Sequence, residues 1–185
     1  SMMSLVARGL VNVLEYNDVH QDFPMSLDHM EKYMNKWLVF SVLWGLGGAM
    51  DFDHRVKLGQ KLSSIVNIPL PSVSAGSTLI DYEVNVDKGE WRLWLRSVPS
   101  IEIETHQVLS TDVVIPTVDT VRHVEVLHAW LAEHRPLILC GPPGSGKTMT
   151  LTSVLTTLPH MELASLNFSS STTPDLILKT FEQYC

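Results

Sequence analysis

The sequence predicts an α/β fold: part of a phosphate-loop domain, with a partial parallel sheet and helices, preceded by a mainly α-helical region carrying one β-hairpin. Three observations predict it. A short apolar run at 137–140 leads into Gly141-Pro142-Pro143-Gly144-Ser145-Gly146-Lys147-Thr148 and then into apolar residues at helical spacing over 149–158. That is strand, glycine-rich loop, helix, with the loop reading G-x-x-x-x-G-K-[ST], the Walker A pattern. Residues 3–65 carry apolar residues at helical spacing, and between 80 and 96 the period changes to two.

The totals set the frame. The 185 residues suffice for one large domain or two small ones, and 45% apolar with 18% charged content is globular. A net charge of −7 argues against a nucleic-acid binder, which would show a basic patch. The only cysteines are Cys140 and Cys185, so no disulfide framework is indicated and a cytoplasmic setting is expected. Cys140, inside the apolar run, is expected buried and reduced. His123, His128 and His134 are five and six residues apart, which does not bring them to one helical face, so no metal site is read from them. Ser1-Met2 ahead of Met3 reads as an expression scar, and no signal peptide is expected. The apolar run over 37–50 is too short to span a bilayer, so membrane insertion is not expected.

Taken in order, residues 3–16 predict a helix with Leu5, Val6, Leu10, Val11 and Leu14 on its inward face. A polar break over 17–24 follows. The next helix, about 25–45, is apolar nearly all round toward its end and is expected to be buried, with Gly45, Gly47 and Gly48 ending it. Asp51 or Asp53 can cap a third helix to about Ile65, with Val56, Leu58, Leu62 and Ile65 inward. Residues 69–76 form a Pro/Ser/Gly loop. Ile80, Tyr82, Val84 and Val86 then alternate with polar residues. Asp87-Lys88-Gly89 is a turn signal, and Trp91, Leu93 and Leu95 alternate with Arg92, Trp94 and Arg96, predicting a hairpin near 78–96. The tryptophans read as packing residues.

A domain boundary is placed near Leu109, giving regions 3–108 and 109–185. Pro116 biases Ile115 toward extended backbone. Thr117 or Asp119 caps a helix to about His134, with Val121, Val124, Leu127 and Leu131 inward. After the phosphate loop and its helix, residues 162–168 read as a second strand. Pro174 suits a first helical turn, and residues 176–184 are helical.

Each loop residue type has a physical task. Gly141, Gly144 and Gly146 allow positive φ and leave no Cβ between the peptide N–H groups and an anion. Those N–H groups, with the helix start near Lys147, can bind polyphosphate oxygens. Lys147, expected as a solvent-facing charge, can reach the β- and γ-phosphates. The Thr148 hydroxyl can ligate a Mg²⁺ that bridges them. Beyond Thr148 no apolar strand ends in Asp or Asp-Glu, so the chain reads as a fragment with no catalytic residue of its own.

Four motifs in order resemble the dynein heavy-chain family of the AAA+ superfamily. Trp44-Gly45 with Gly47-Gly48, then Arg55 and Leu62, is similar to its buried helix ending W-x-x-G-G and the Arg-bearing helix after it. Ile80-Asp81-Tyr82 with Gly89, Trp91 and Trp94 resembles its DY…G-x-W-x-x-W hairpin. Ile115-Pro116-Thr117-Val118-Asp119-Thr120-Val121-Arg122 is similar to its P-T-x-D-T-x-R segment, and Gly141 to Thr148 fills the Walker A place. The resemblance implies that 3–108 is the small helical lid of a second AAA+ module. It implies that 109–185 is the N-terminal half of a third module's large α/β subdomain.

It further implies ATP or ADP with Mg²⁺ as cofactors. The phosphates would be cradled by the backbone of Pro142, Pro143, Gly144, Ser145 and Gly146, with Val114, Ile115 and Pro116 beside the adenine. The parent would be a motor coupling ATP binding and hydrolysis to minus-end-directed movement along microtubules, with this site regulatory. Its implied partners are neighbouring AAA+ modules, microtubules, intermediate and light chains, dynactin and a second heavy chain. Walker B, sensor and arginine-finger residues have no match here, so the fragment alone is expected to be inactive.

Three other readings compete. Another multi-module AAA+ remodelling ATPase would not need the Trp91 and Trp94 hairpin. A stand-alone nucleotide kinase or GTPase would need an acidic motif within the chain, and a GTPase also an N-K-x-D motif. A helical structural module would have the glycine loop only by chance.

Overall fold

The computed structural model describes residues 2–100, 115–132, 134–158, 161 and 163–184. They fall into two units, Ser1–Ile138 and Leu139–Cys185. The first holds α1 (Met2–Val19), α2 (Leu27–Gly47), α3 (Phe52–Ile65), the strands β1 (Tyr82–Asn85) and β2 (Glu90–Leu93), and α4 (Val118–Leu131). Short 3-10 turns flank the hairpin at Leu79–Asp81 and Trp94–Ser97. The second unit holds α5 (Lys147–Thr156) and α6 (Pro174–Tyr184).

The core of the first unit is an aromatic ladder on α2. Tyr33, Trp37, Phe40, Leu43 and Trp44 are all buried. Tyr33 stacks on Trp37 with centroids 5.6 Å apart, and Trp37 meets Phe40 at 4.8 Å. The Trp37 indole lies against Gly9 of α1, where an added Cβ would come within 2.1 Å of Cδ1. Its Nε1–H donates to the Leu5 carbonyl at 2.6 Å, and Asn12 Nδ2 donates to the Tyr33 hydroxyl at 2.9 Å. These contacts choose the face of α1. The buried stripe is Leu5, Gly9 and Val13, while Leu10 and Leu14, expected inward, are 55% and 68% exposed. The apolar period gave the helix but misplaced its face, because a glycine that admits an indole outweighs two leucines.

Helix α2 ends at Gly47, as the glycines suggested, but not through a left-handed cap. Gly48 has φ −56°, an ordinary right-handed value. Arg55 of α3 supplies the termination: its Nε donates to the Gly47 carbonyl at 3.1 Å and its Nη2 to the Gly48 carbonyl at 3.0 Å. Those carbonyls lack helical partners, and a cation complements the negative end of the dipole. Gly47 allows close approach, since a Cβ there would meet Leu58 at 3.0 Å and Ile80 at 3.2 Å. Asp51 caps α3 by accepting from the His54 N–H at 2.9 Å. Leu58 and Leu62 lean on the core, whereas Ile65, expected inward, is 67% exposed.

The hairpin forms with Tyr82 opposite Leu93 and Val84 opposite Trp91. Gly89 closes its turn at φ +60°, donating its N–H to the Asn85 carbonyl at 2.9 Å. Ile80, Tyr82 and Val84 are buried, as the alternation predicts. The alternation fails after Leu93, where β2 passes into the 3-10 turn. Trp94 is buried and Leu95 is 66% exposed, the reverse of a continued strand. Lys36 ties the hairpin to α2: its buried ammonium donates to the Gly89 carbonyl and to Glu90 Oε2, both at 2.6 Å.

Helix α4 packs on α1 and on the Trp94–Ser97 turn. Thr117 caps it, accepting from the Thr120 N–H at 3.2 Å. Leu127, Ala129 and Leu131 are buried. Arg122 reaches Asp81 Oδ1 at 2.7 Å and Asp119 Oδ1 at 2.5 Å. The other Asp81 oxygen accepts from the Thr78 N–H at 2.7 Å. The residues around Leu109 lie outside those described, and α4 groups with the first unit. Among the described residues, no helix is long and apolar enough to cross a membrane.

Gly→Ala inside a helix ordinarily stabilises by about 1 kcal/mol. At Gly9 the sign should reverse, because the new methyl must displace Trp37. Gly9→Ala is expected to destabilise the first unit by about 1–3 kcal/mol, as overpacking does. Leu10→Ala, on the exposed face, should stay within about 0.5 kcal/mol of the parent chain. Urea midpoints of the two variants check this.

Candidate functional site

Residues 137–140, before the phosphate loop, form neither helix nor strand. Side chains over 137–140 alternate half-buried and exposed, and Ile138 is 89% exposed. The strand expected at 137–140 is absent, and so is one over the described part of 162–168. Glu162 itself lies outside the described residues. A parallel strand is defined by its ladder partners, and the sheet among the described residues is the antiparallel hairpin alone. Cys140 is exposed, not buried as expected, because no strand forms at 137–140 to set it into a sheet.

Two of the three loop glycines take the left-handed backbone expected of them; Gly141 does not, and its lack of a Cβ serves close approach instead. Gly144 and Gly146 sit at φ +76° and +75°. A Cβ on Gly141 would lie 3.1 Å from Ser145 Oγ. Gly146 is the N-cap of α5 and offers no capping side chain. Three other helices start differently: Ser26, Asp51 and Thr117 each fill the cap of α2, α3 and α4 with a side-chain oxygen. The first-turn N–H groups of α5, on Lys147, Thr148 and Met149, thus have neither a helical nor a capping partner. Their dipole end is positive. Thr148 is exposed, with its hydroxyl at the same turn.

Behind that surface the turn is anchored. Thr150 is buried, and both its N–H and its Oγ1–H donate to the Gly146 carbonyl at 2.9 Å. Val154, one turn further, is 1% exposed. No motif pointed to Thr150. Its signal is a Thr four residues after a cap glycine, spaced for a hydroxyl to bond back along the helix.

Lys147 is not the free, solvent-facing charge expected. Its Nζ donates to the Gly141 carbonyl at 2.9 Å, the Pro142 carbonyl at 2.6 Å and Ser145 Oγ at 3.2 Å. An ammonium beside a positive helix end seeks acceptors, and the loop carbonyls are the nearest. Ile115, 62% exposed, and Pro116 belong to the first unit, just before the cap Thr117. Val114 lies outside the described residues. The structure brings Gly141 to Thr148 together around one helix start, while Ile115 and Pro116 belong to the other unit.

This donor set fits a polyphosphate: uncapped N–H groups, two left-handed glycines, a lysine and a threonine at the helix start. It defines a phosphate-loop nucleotide-binding module. Comparison with known proteins gives the family. Residues 1–96 match the dynein heavy chain AAA lid domain, and residues 102–185 match the P-loop containing dynein motor region. All 185 residues align with cytoplasmic dynein heavy chains, at 56% identity in Dictyostelium discoideum, 54% in Drosophila melanogaster and 40% in Caenorhabditis elegans. The chain belongs to the dynein heavy-chain family. It spans 4% of the length of each of those relatives. The lid-then-motor order agrees with the α/β architecture expected, and the other multi-module AAA+ reading is not favoured.

Gly146→Ala tests the loop geometry. A Cβ there meets no atom within 4 Å, so crowding is not the issue. The left-handed φ alone should cost about 1–2 kcal/mol. Nucleotide affinity at the site is expected to fall by about tenfold, read by equilibrium titration of the motor-domain protein.

Proposed function

We propose that this chain is an ATP-binding segment of a dynein motor ring, joining the lid of a second AAA+ module to the N-terminal half of a third. The observation that carries the reading is the α5 start: a glycine cap without a side-chain partner, followed directly by Lys147 and Thr148. In this reading the peptide groups over 142–146 cradle the phosphates of ATP or ADP. Lys147 bonds the β- and γ-phosphates, and Thr148 holds Mg²⁺, which neutralises the phosphate charge. Val114, Ile115 and Pro116 flank the adenine.

The parent heavy chain works in the cytoplasm as an ATP-hydrolysing, minus-end-directed microtubule motor. It acts as a homodimer with intermediate chains, light chains and dynactin, and this site is regulatory. Domains 3–108 and 109–185 are the units of that assignment, with Ser1-Met2 outside it. The fragment alone turns over no ATP, since its sequence has no match to a Walker B carboxylate or an arginine finger.

The test is Lys147→Ala in the intact motor. Losing a charge-assisted contact of roughly 1.5–3 kcal/mol should weaken nucleotide binding at this site by about one to two decades. Microtubule-stimulated ATPase and velocity should fall with it. Full velocity alongside confirmed loss of nucleotide here would refute the regulatory role. The variant should also loosen the loop, because Lys147 ties together Gly141, Pro142 and Ser145.

A further inference from the structure

The Ser145 hydroxyl has no part in a backbone cradle, yet it is placed with some care. It lies over Gly141, where any Cβ would come within 3.1 Å of it. The Ser145 N–H turns back to the Pro142 carbonyl at 3.4 Å. The hydroxyl oxygen accepts from Lys147 Nζ at 3.2 Å, beside the carbonyls of Gly141 and Pro142 that accept from the same ammonium. The lysine therefore has a complete set of acceptors within its own loop. A phosphate can recruit it only by taking it from them.

We infer that Ser145 is a positioning residue that latches Lys147 onto its own loop and so lowers the affinity of this site for nucleotide. The inference rests on the nucleotide-binding reading above. Its logic is that of two states. A ligand shifts an equilibrium only by its differential affinity, and apparent affinity is reduced by the fraction of protein in the incompetent form. With the lysine held by its own loop, part of the phosphate contact is offset by breaking the latch. Removing one acceptor weakens the latched state and leaves the peptide cradle intact. The sign is therefore opposite to that for Lys147: loss of the Ser145 hydroxyl should tighten binding. A serine that instead contacts the phosphate directly would give the reverse.

The experiment reads Lys147 itself. Intact motor is acylated with a brief pulse of an amine-reactive ester, and modification of the Lys147 peptide is quantified by mass spectrometry across a titration of Mg-ADP. In the native motor, Mg-ADP should protect Lys147 from acylation. Absence of protection would overturn the nucleotide-binding reading itself, and this inference with it. Given protection, Ser145→Ala should raise nucleotide-free acylation of Lys147 by about two- to fivefold and lower the Mg-ADP midpoint by a similar factor. Ser145→Thr, which keeps the hydroxyl, should return both values toward native. An unchanged acylation rate and midpoint in Ser145→Ala, or a midpoint shifted to higher Mg-ADP, would overturn the latch while leaving the nucleotide site standing.

Discussion

The contact on which the first unit depends is the Trp37 indole against Gly9. It fixes the rotation of α1, since an indole can approach a helix backbone this closely only where no Cβ stands. It also fixes the translation of α1, because Nε1–H must meet the Leu5 carbonyl. Once α1 is set, Tyr33 can receive Asn12, and the aromatic ladder from Tyr33 to Trp44 is closed on that side. A buried indole N–H without an acceptor costs free energy, so this hydrogen bond also makes the docking specific. By contrast, the buried Nε1 atoms of Trp44 and Trp94 have no hydrogen-bond partner among the described residues, and these rings contribute there through packing.

Charges then assemble smaller parts on this core, each at the end of a helix or turn. Arg55 finishes α2, Lys36 holds the turn of the hairpin, and Asp81 gathers both the Thr78 N–H and Arg122. Exposed ion pairs contribute little, but these side chains also bond main-chain groups at the ends of helices and turns. That explains why the first unit holds α4. Arg122 of α4 meets a carboxylate already fixed by its own turn, so little entropy is lost in forming the pair.

How much of this could be read from sequence follows from the range of each interaction. Caps were legible, since Asp51 and Thr117 act on N–H groups three residues away. The hairpin was legible up to Leu93, because alternation and the turn glycine are local. The inward face of α1 was not, because Gly9 acquires its meaning only from a tryptophan 28 residues later. Nor was the end of α2, where glycines suggested a left-handed cap but an arginine from the next helix acts. The strand before the phosphate loop was overcalled for the same reason. An apolar run states that a segment can be a strand, while pairing depends on what lies beside it.

At the phosphate loop the legible and illegible parts divide between backbone and side chain. The pattern of glycines dictates the backbone, and Gly144 and Gly146 take the positive φ that their spacing demands. The lysine was read from its destination, the phosphate, and so was imagined free. A charge at a helix N-terminus is never indifferent, however. The field that makes the site attract an anion also drives the ammonium toward any oxygen within reach, and the loop supplies three. A residue chosen to bind a ligand must be satisfied before the ligand arrives, and the strength of that earlier arrangement is subtracted from the affinity. On the nucleotide-binding reading proposed above, the affinity of this site is the difference between two sets of lysine partners, of which the sequence motif describes only one.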